Sequence, residues 1–95
     1  MKNKEKENTI IDRIKEIINY ILERENKPKI EKLYMKTSLR RDLDMDSLDL
    51  AELTVRIEEE YGVDIFEDGI IDRIEEIIPK IYKPYLMLTS IMLKN

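Results

Sequence analysis

One hydroxyl stands out for its surroundings. Ser47 follows three carboxylates at alternate positions, Asp42, Asp44 and Asp46, and precedes the patterned run Leu48-Asp49-Leu50-Ala51-Glu52-Leu53. The chain has no His and no Cys. Ser47 therefore has no imidazole to deprotonate it, and thiol nucleophiles and the usual zinc ligands are missing together. Nothing here makes this serine a hydrolytic nucleophile. The plainest reading is that Asp46 and Ser47 simply open a helix, since both types, with Asp49 following, are common in capping turns. A second reading takes the three aspartates as the first, third and fifth positions of a calcium loop. That loop demands Gly at its sixth position and Glu at its twelfth, where this chain has Ser47 and Leu53. No EF-hand and no dedicated metal site are expected.

The element that must position Ser47 is the helix it begins. Leu50, Leu53, Ile57 and Tyr61 recur at the spacing of one buried helical face, which predicts a helix from about 47 to 61. Leu48, Ala51 and Val55 form a second, smaller apolar stripe, interleaved with Asp49, Glu52, Arg56 and Glu59. A helix serving only a core would not need that stripe, so the first face reads as core and the second as a docking surface. Gly62 is placed to end the helix in the left-handed conformation.

The run from Asp42 to Leu53, followed by Ile57-Glu58-Glu59-Glu60-Tyr61-Gly62-Val63, resembles the acyl carrier protein family. The resemblance spans roughly residues 9 to 82. It implies an all-α four-helix bundle with a short third helix, in which the serine of Asp46-Ser47-Leu48 bears 4′-phosphopantetheine donated by coenzyme A. Attachment would need a phosphopantetheinyl transferase. Acyl or aminoacyl groups would then ride as thioesters on the arm's thiol between enzymes of a fatty acid, lipid or specialised polyketide-type pathway, and the chain itself would catalyse nothing. A helix N-terminus, with its free N–H groups and positive dipole end, suits an attached phosphate. The resemblance also implies that Leu48, Ala51 and Val55 supply an apolar contact patch, and that Asp49, Glu52, Glu58 and Glu59 offer carboxylates to basic surfaces on partner enzymes. Arg56 departs from the family's small or neutral residue and should discourage some partners. Asp44 stands where a Gly is common and makes the loop stiffer and more acidic. Two other classes compete with this reading. One is a cofactor-free helical interaction module, against which the intact Asp46-Ser47-Leu48 argues; the other is an acidic, divalent-cation-binding helix-loop-helix protein.

Composition sets the outer bounds. Ninety-five residues make one domain with a small core, 42% hydrophobic and 40% charged, with only 2 Gly. The net charge is −4, with the acids concentrated between 42 and 76, so a basic protein surface is a better partner than nucleic acid. Residues 1–8 read as a polar, lysine-rich, frayed lead-in with no apolar signal segment, and a cytoplasmic monomer without membrane insertion is the expectation. From Thr9, Ile10, Ile11, Ile14, Ile17, Ile18, Ile21 and Leu22 predict a first helix, stopped by Asn26 and Pro28. Residues 27–46 make a long connection anchored by Ile30, Leu33, Leu39 and Leu43. A short third helix is expected over Glu67 to Ile71. A last helix should start near Asp72 with Ile74, Ile77, Ile78 and Ile81, with Pro79 kinking it or opening a new segment. The bundle thus runs from 9 to 82, and the apolar extension 83–95 is expected to fold back on it through Tyr85, Leu88 and Met92.

Overall fold

The computed structural model describes residues 2–67, 69 and 71–81. Three helices appear among them. The first, α1, spans Lys2–Arg24, the second, α2, spans Ser47–Tyr61, and α3 occupies residues 74–81, up to the last described position of the C-terminal region. The fold is all-α, as expected. The bundle is built on isoleucine: Ile14, Ile18 and Ile21 of α1, Leu53 and Ile57 of α2, and Ile74 and Ile77 of α3 have no exposed surface. Fully burying each such side chain contributes about 1.5–3 kcal/mol. An exposed ion pair, Arg13 to Glu60 at 2.7 Å, borders the seam between α1 and α2.

Helix ends follow the residues that allow them. At the end of α1, Asn26 takes the left-handed conformation (φ 60°), while the N–H groups of Asn26 and Lys27 donate to the carbonyls of Glu23 and Leu22. This paired arrangement satisfies the last free carbonyls. Gly62, at φ 69°, ends α2 with its N–H on the carbonyl of Glu58. The start of α1 lies earlier than the periodicity implied. The backbone is helical from Lys2 rather than Thr9, in keeping with a lead-in of Lys and Glu that loses little side-chain freedom in a helix.

The expected short third helix is not formed where it can be seen. Residues 65–67 make a turn, with Asp64 Oδ1 accepting from the Phe66 N–H at 2.9 Å. Such a side-chain-to-backbone turn competes with helix. Gly69 follows at φ 133°, a conformation other residues avoid. The fourth helix of the anticipated bundle is therefore absent from the described part of this stretch; residues 68 and 70 lie outside it. Pro79 does not end α3 before residue 81. Losing one backbone hydrogen bond there is offset by burial of Ile74, Ile77, Ile78 and Ile81. The contacts expected of Tyr85, Leu88 and Met92 fall outside the described residues.

The long connection 27–46 is held by more than its anchors. Leu39 is fully buried, Leu43 and Met45 nearly so, and Ile30 and Leu33 are half-buried against the core. Asn19 of α1 clamps the connection through both hydrogen bonds of its amide to the Ile30 backbone, at 2.9 and 2.8 Å. Further on, residues 35–39 run beside residues 72–75. Leu39 N–H donates to the Asp72 carbonyl, and the N–H groups of Ile74 and Glu75 donate to the carbonyls of Thr37 and Met35. The connection thereby supplies acceptors for the first turn of α3.

Candidate functional site

The first turn of α2 solves its own hydrogen-bonding problem. Asp46 is the N-cap: its Oδ1 accepts from the Asp49 N–H at 2.9 Å, and Asp49 Oδ2 accepts from the Asp46 N–H at 3.1 Å. This reciprocal box satisfies two donors with two carboxylates. Because Asp46 does the capping, Ser47 is left at the first helical position with nothing to do. Its side chain is exposed and makes no hydrogen bond among the described residues. The capping reading of Asp46 and the special reading of Ser47 are therefore compatible. Ser38 is the opposite case. It is buried, and its hydroxyl donates to Asp72 Oδ2 at 2.5 Å and accepts from the Arg41 N–H.

Asp49 departs from expectation. Only 1% of it is exposed, so it is not a carboxylate offered to partners. Its pattern position was ambiguous, because the third residue of a helix faces either its cap or solvent. Lys27, from the connection after α1, reaches Asp49 at 3.1 Å and the Asp44 carbonyl at 2.6 Å, with Glu25 at 3.4 Å. Burial pushes the Asp49 carboxyl up, but hydrogen bonds with Glu25, the Asp46 N–H and Lys27 outweigh it and hold Asp49 below the usual carboxylate range. Glu25 is raised, chiefly by its interaction with Asp49. Two of the three calcium-loop carboxylates, meanwhile, are spent on backbone. Asp42 accepts from the Ser38 N–H and Asp46 caps α2, while Asp44 sits at φ 54°, the left-handed conformation that glycine takes without strain. Glu25, Asp46 and Asp49 do bring carboxylate oxygens within 4.8 Å of one another, and the Lys27 ammonium already offsets that charge.

The remaining docking candidates separate by role. Leu48 is 78% exposed and Val55 55%, with Ala51 exposed between them. Glu58 and Glu59 are exposed as well. Glu52 is not free: its carboxylate is shared by Arg24 of α1 and by Arg56 one turn along α2, at 2.8 Å for Arg56. Arg24, first, and Arg56 hold the Glu52 carboxyl below its usual range against the opposing effect of burial. Arg56 also lies over the ring of Tyr20, 4.4 Å from its centroid. It is fastened to α1 rather than projecting as a lone cation. Glu52 and Arg56 thus tie α2 to α1, which spacing along one helix does not reveal.

Beside Ser47 opens a pocket of about 320 Å³ lined by Arg40, Ser47, Leu50, Ala51, Phe66 and Gly69. Arg40 and Phe66 had not been singled out from the sequence. One signal was there: between Lys36 and Arg56 the only cations are Arg40 and Arg41. Asp72 holds this corner in place. Its Oδ2 accepts from Ser38 and its Oδ1 from the Arg40 N–H at 3.1 Å. The Ser38 hydroxyl first, and the Arg40 N–H after it, keep the Asp72 carboxyl below the usual range. An exposed hydroxyl at a helix start, with an arginine and apolar side chains lining the same pocket, fits a phosphate-linked arm.

No described helix is long and apolar enough to cross a membrane. Residues 12–72 match the family model described as a phosphopantetheine attachment site. The chain is 35% identical over 72 residues to a protein named acyl carrier protein 3 from Ralstonia nicotianae, an alignment covering 74% of this chain and 78% of that one. It is 39% identical over 61 residues to the acyl carrier protein of Buchnera aphidicola subsp. Schizaphis graminum, covering 64% and 72% respectively. A capped helix that spares one exposed serine, an adjoining pocket suited to the arm, and these matches lead to one conclusion: the chain belongs to the acyl carrier protein family, whose members are carriers rather than enzymes and take 4′-phosphopantetheine as their cofactor.

Proposed function

We propose that Ser47 is the attachment residue, flanked by Asp46 and Leu48, and that the chain delivers acyl or aminoacyl groups as thioesters between cytoplasmic enzymes of a fatty acid, lipid or specialised polyketide-type pathway. The observation that carries this is the Ser47 hydroxyl, exposed and unengaged at the start of α2 while Asp46 and Asp49 perform the capping. Ser38 is buried and committed to Asp72. A phosphopantetheinyl transferase, and later the acyl-handling enzymes, would meet an apolar strip of Leu48, Ala51 and Val55 bordered by Glu58 and Glu59. Basic surfaces on those enzymes would be steered to it. The chain acts as a monomer in this reading. Asp49, Glu52 and Arg56 shape the surface from behind instead of touching the partner first.

Incubation with coenzyme A and a broad-specificity transferase should add the mass of one phosphopantetheine. The modified protein should then accept an acyl group that hydroxylamine releases, as a thioester requires. Failure to gain that mass, or an acyl adduct stable to hydroxylamine, would contradict the proposal.

A further inference from the structure

The acidic surroundings of Ser47 pose an electrostatic problem. A phosphodiester on that hydroxyl would stand beside Asp44 and Asp46, both exposed, in a stretch where like charges repel. The start of α2 supplies only a partial positive charge, with two of its donors already taken by the capping box. A full positive charge is nevertheless present. Arg40 lines the same pocket as Ser47, together with Leu50, Ala51 and Phe66. Its backbone is fixed on both sides: Leu39 before it is fully buried, its own N–H is held by Asp72, and the Arg41 N–H after it by the Ser38 hydroxyl. Arg41, next along the chain, is exposed but does not line the pocket.

We propose that the Arg40 guanidinium pairs with the phosphodiester joining the arm to Ser47, and so directs the first atoms of the arm along the pocket wall of Leu50, Ala51 and Phe66. The inference rests on Ser47 being the attachment residue. A planar guanidinium fits phosphate oxygens through two parallel donors, which fixes direction as well as distance. Arg40 is exposed, so the pair is partly screened by salt rather than locked. Arg40 is a positioning residue here: the transferase does the chemistry, and Arg40 sets how the product is held. Asp72 draws on the same guanidinium, but with two hydrogen bonds of its own it leaves the side chain available to the pocket.

The test uses the full chain in its modified form. Intact mass first establishes that wild type, Arg40→Gln and Arg41→Gln each carry one arm. The phosphorus NMR resonance of the phosphodiester should then move between low and high salt in wild type and in Arg41→Gln. In Arg40→Gln that salt-dependent shift should be lost. Independently of any variant, the Arg40 Nε–Hε cross-peak of wild type should move when the arm is attached, while that of Arg41 stays. If the arm attaches but the phosphorus resonance responds to salt alike in wild type and Arg40→Gln, or the Arg40 cross-peak does not move, the inference is overturned. If no arm attaches to wild type, the reading of Ser47 fails and takes this inference with it, a result that mass alone distinguishes.

Discussion

The starts of α2 and α3 meet the same physical demand in different ways. Each must satisfy backbone N–H groups that have no partner within the helix. At α2 the solution is local: Asp46 and Asp49, three residues apart, satisfy each other's N–H groups. At α3 it is largely distant: Glu76 accepts locally from the Arg73 N–H, but the carbonyls of Met35 and Thr37 come from the long connection to meet the N–H groups of Glu75 and Ile74. A local cap leaves a helix start open to solvent and to other proteins. A distant one lays the capping chain alongside its helix start. The exposed serine, Ser47, stands at α2, and the buried, occupied serine, Ser38, beside α3.

The largest effect that would sharpen this comparison is at Asp49. Asp49→Ala removes one half of the capping box and the buried partner of Lys27. It should cost about 2–3 kcal/mol, as loss of a charge-assisted buried hydrogen-bond acceptor does. Glu59→Ala, a few residues along the same helix but exposed, should stay within about 0.5 kcal/mol. Urea melts of the two variants make the test; equal losses would show that Asp49 is no more structural than Glu59.

Next comes Asp72, which joins the connection to α3. Asp72→Ala should cost about 1–2 kcal/mol through two lost hydrogen bonds. Amide exchange should speed up at Leu39 and Arg40 as well as at Ile74, while the first turn of α2 stays protected. Exchange confined to α3 would mean that the connection is held without it. The acid side gives a second measure. Asp72 has its folded pKa lowered, so its contribution is fully present above the ordinary carboxylate value, about 3.9, and is lost as the pH falls through the lowered one. Stability should therefore fall less steeply below about pH 4 in Asp72→Asn than in wild type.

Much of α2 was legible because what makes it is local. Leu50, Leu53 and Ile57 repeat at helical spacing, Asp46 stands before them and Gly62 after, and each is where the pattern put it. The isoleucines of α1 and α3 were legible for the same reason. What escaped depends on residues far apart in the chain. Asp49 and Glu52 look like Glu58 and Glu59 until Lys27 and Arg24 arrive from the other side of the fold. Arg56 looked like an obstacle to partners until Tyr20 and Glu52 accounted for it. Arg40 gained meaning only when the connection brought it to the same pocket as Ser47 and Phe66. Among the described residues near 67 the chain makes a turn instead of a helix, with Asp64 accepting from the Phe66 N–H.

The smallest effects belong to the open face of α2. Leu48→Glu should slow modification by the transferase more than any single charge reversal, because it puts a charge where desolvated contact is expected. Reversing Glu58 or Glu59 should cost only about 0.2–1 kcal/mol in association, and less as salt is raised. Transferase kinetics indifferent to both salt and Leu48→Glu would move the docking surface elsewhere.

The central claim is that the capping of α2 by Asp46 and Asp49 leaves Ser47 as the residue that carries the arm. It is tested most directly by intact mass after treatment of wild type and Ser47→Ala with coenzyme A and a transferase. Ser47→Ala keeps the capping box and should fold with near-wild-type stability, yet gain no mass while wild type gains one phosphopantetheine. A full mass gain in Ser47→Ala would place the arm on another residue and contradict the account.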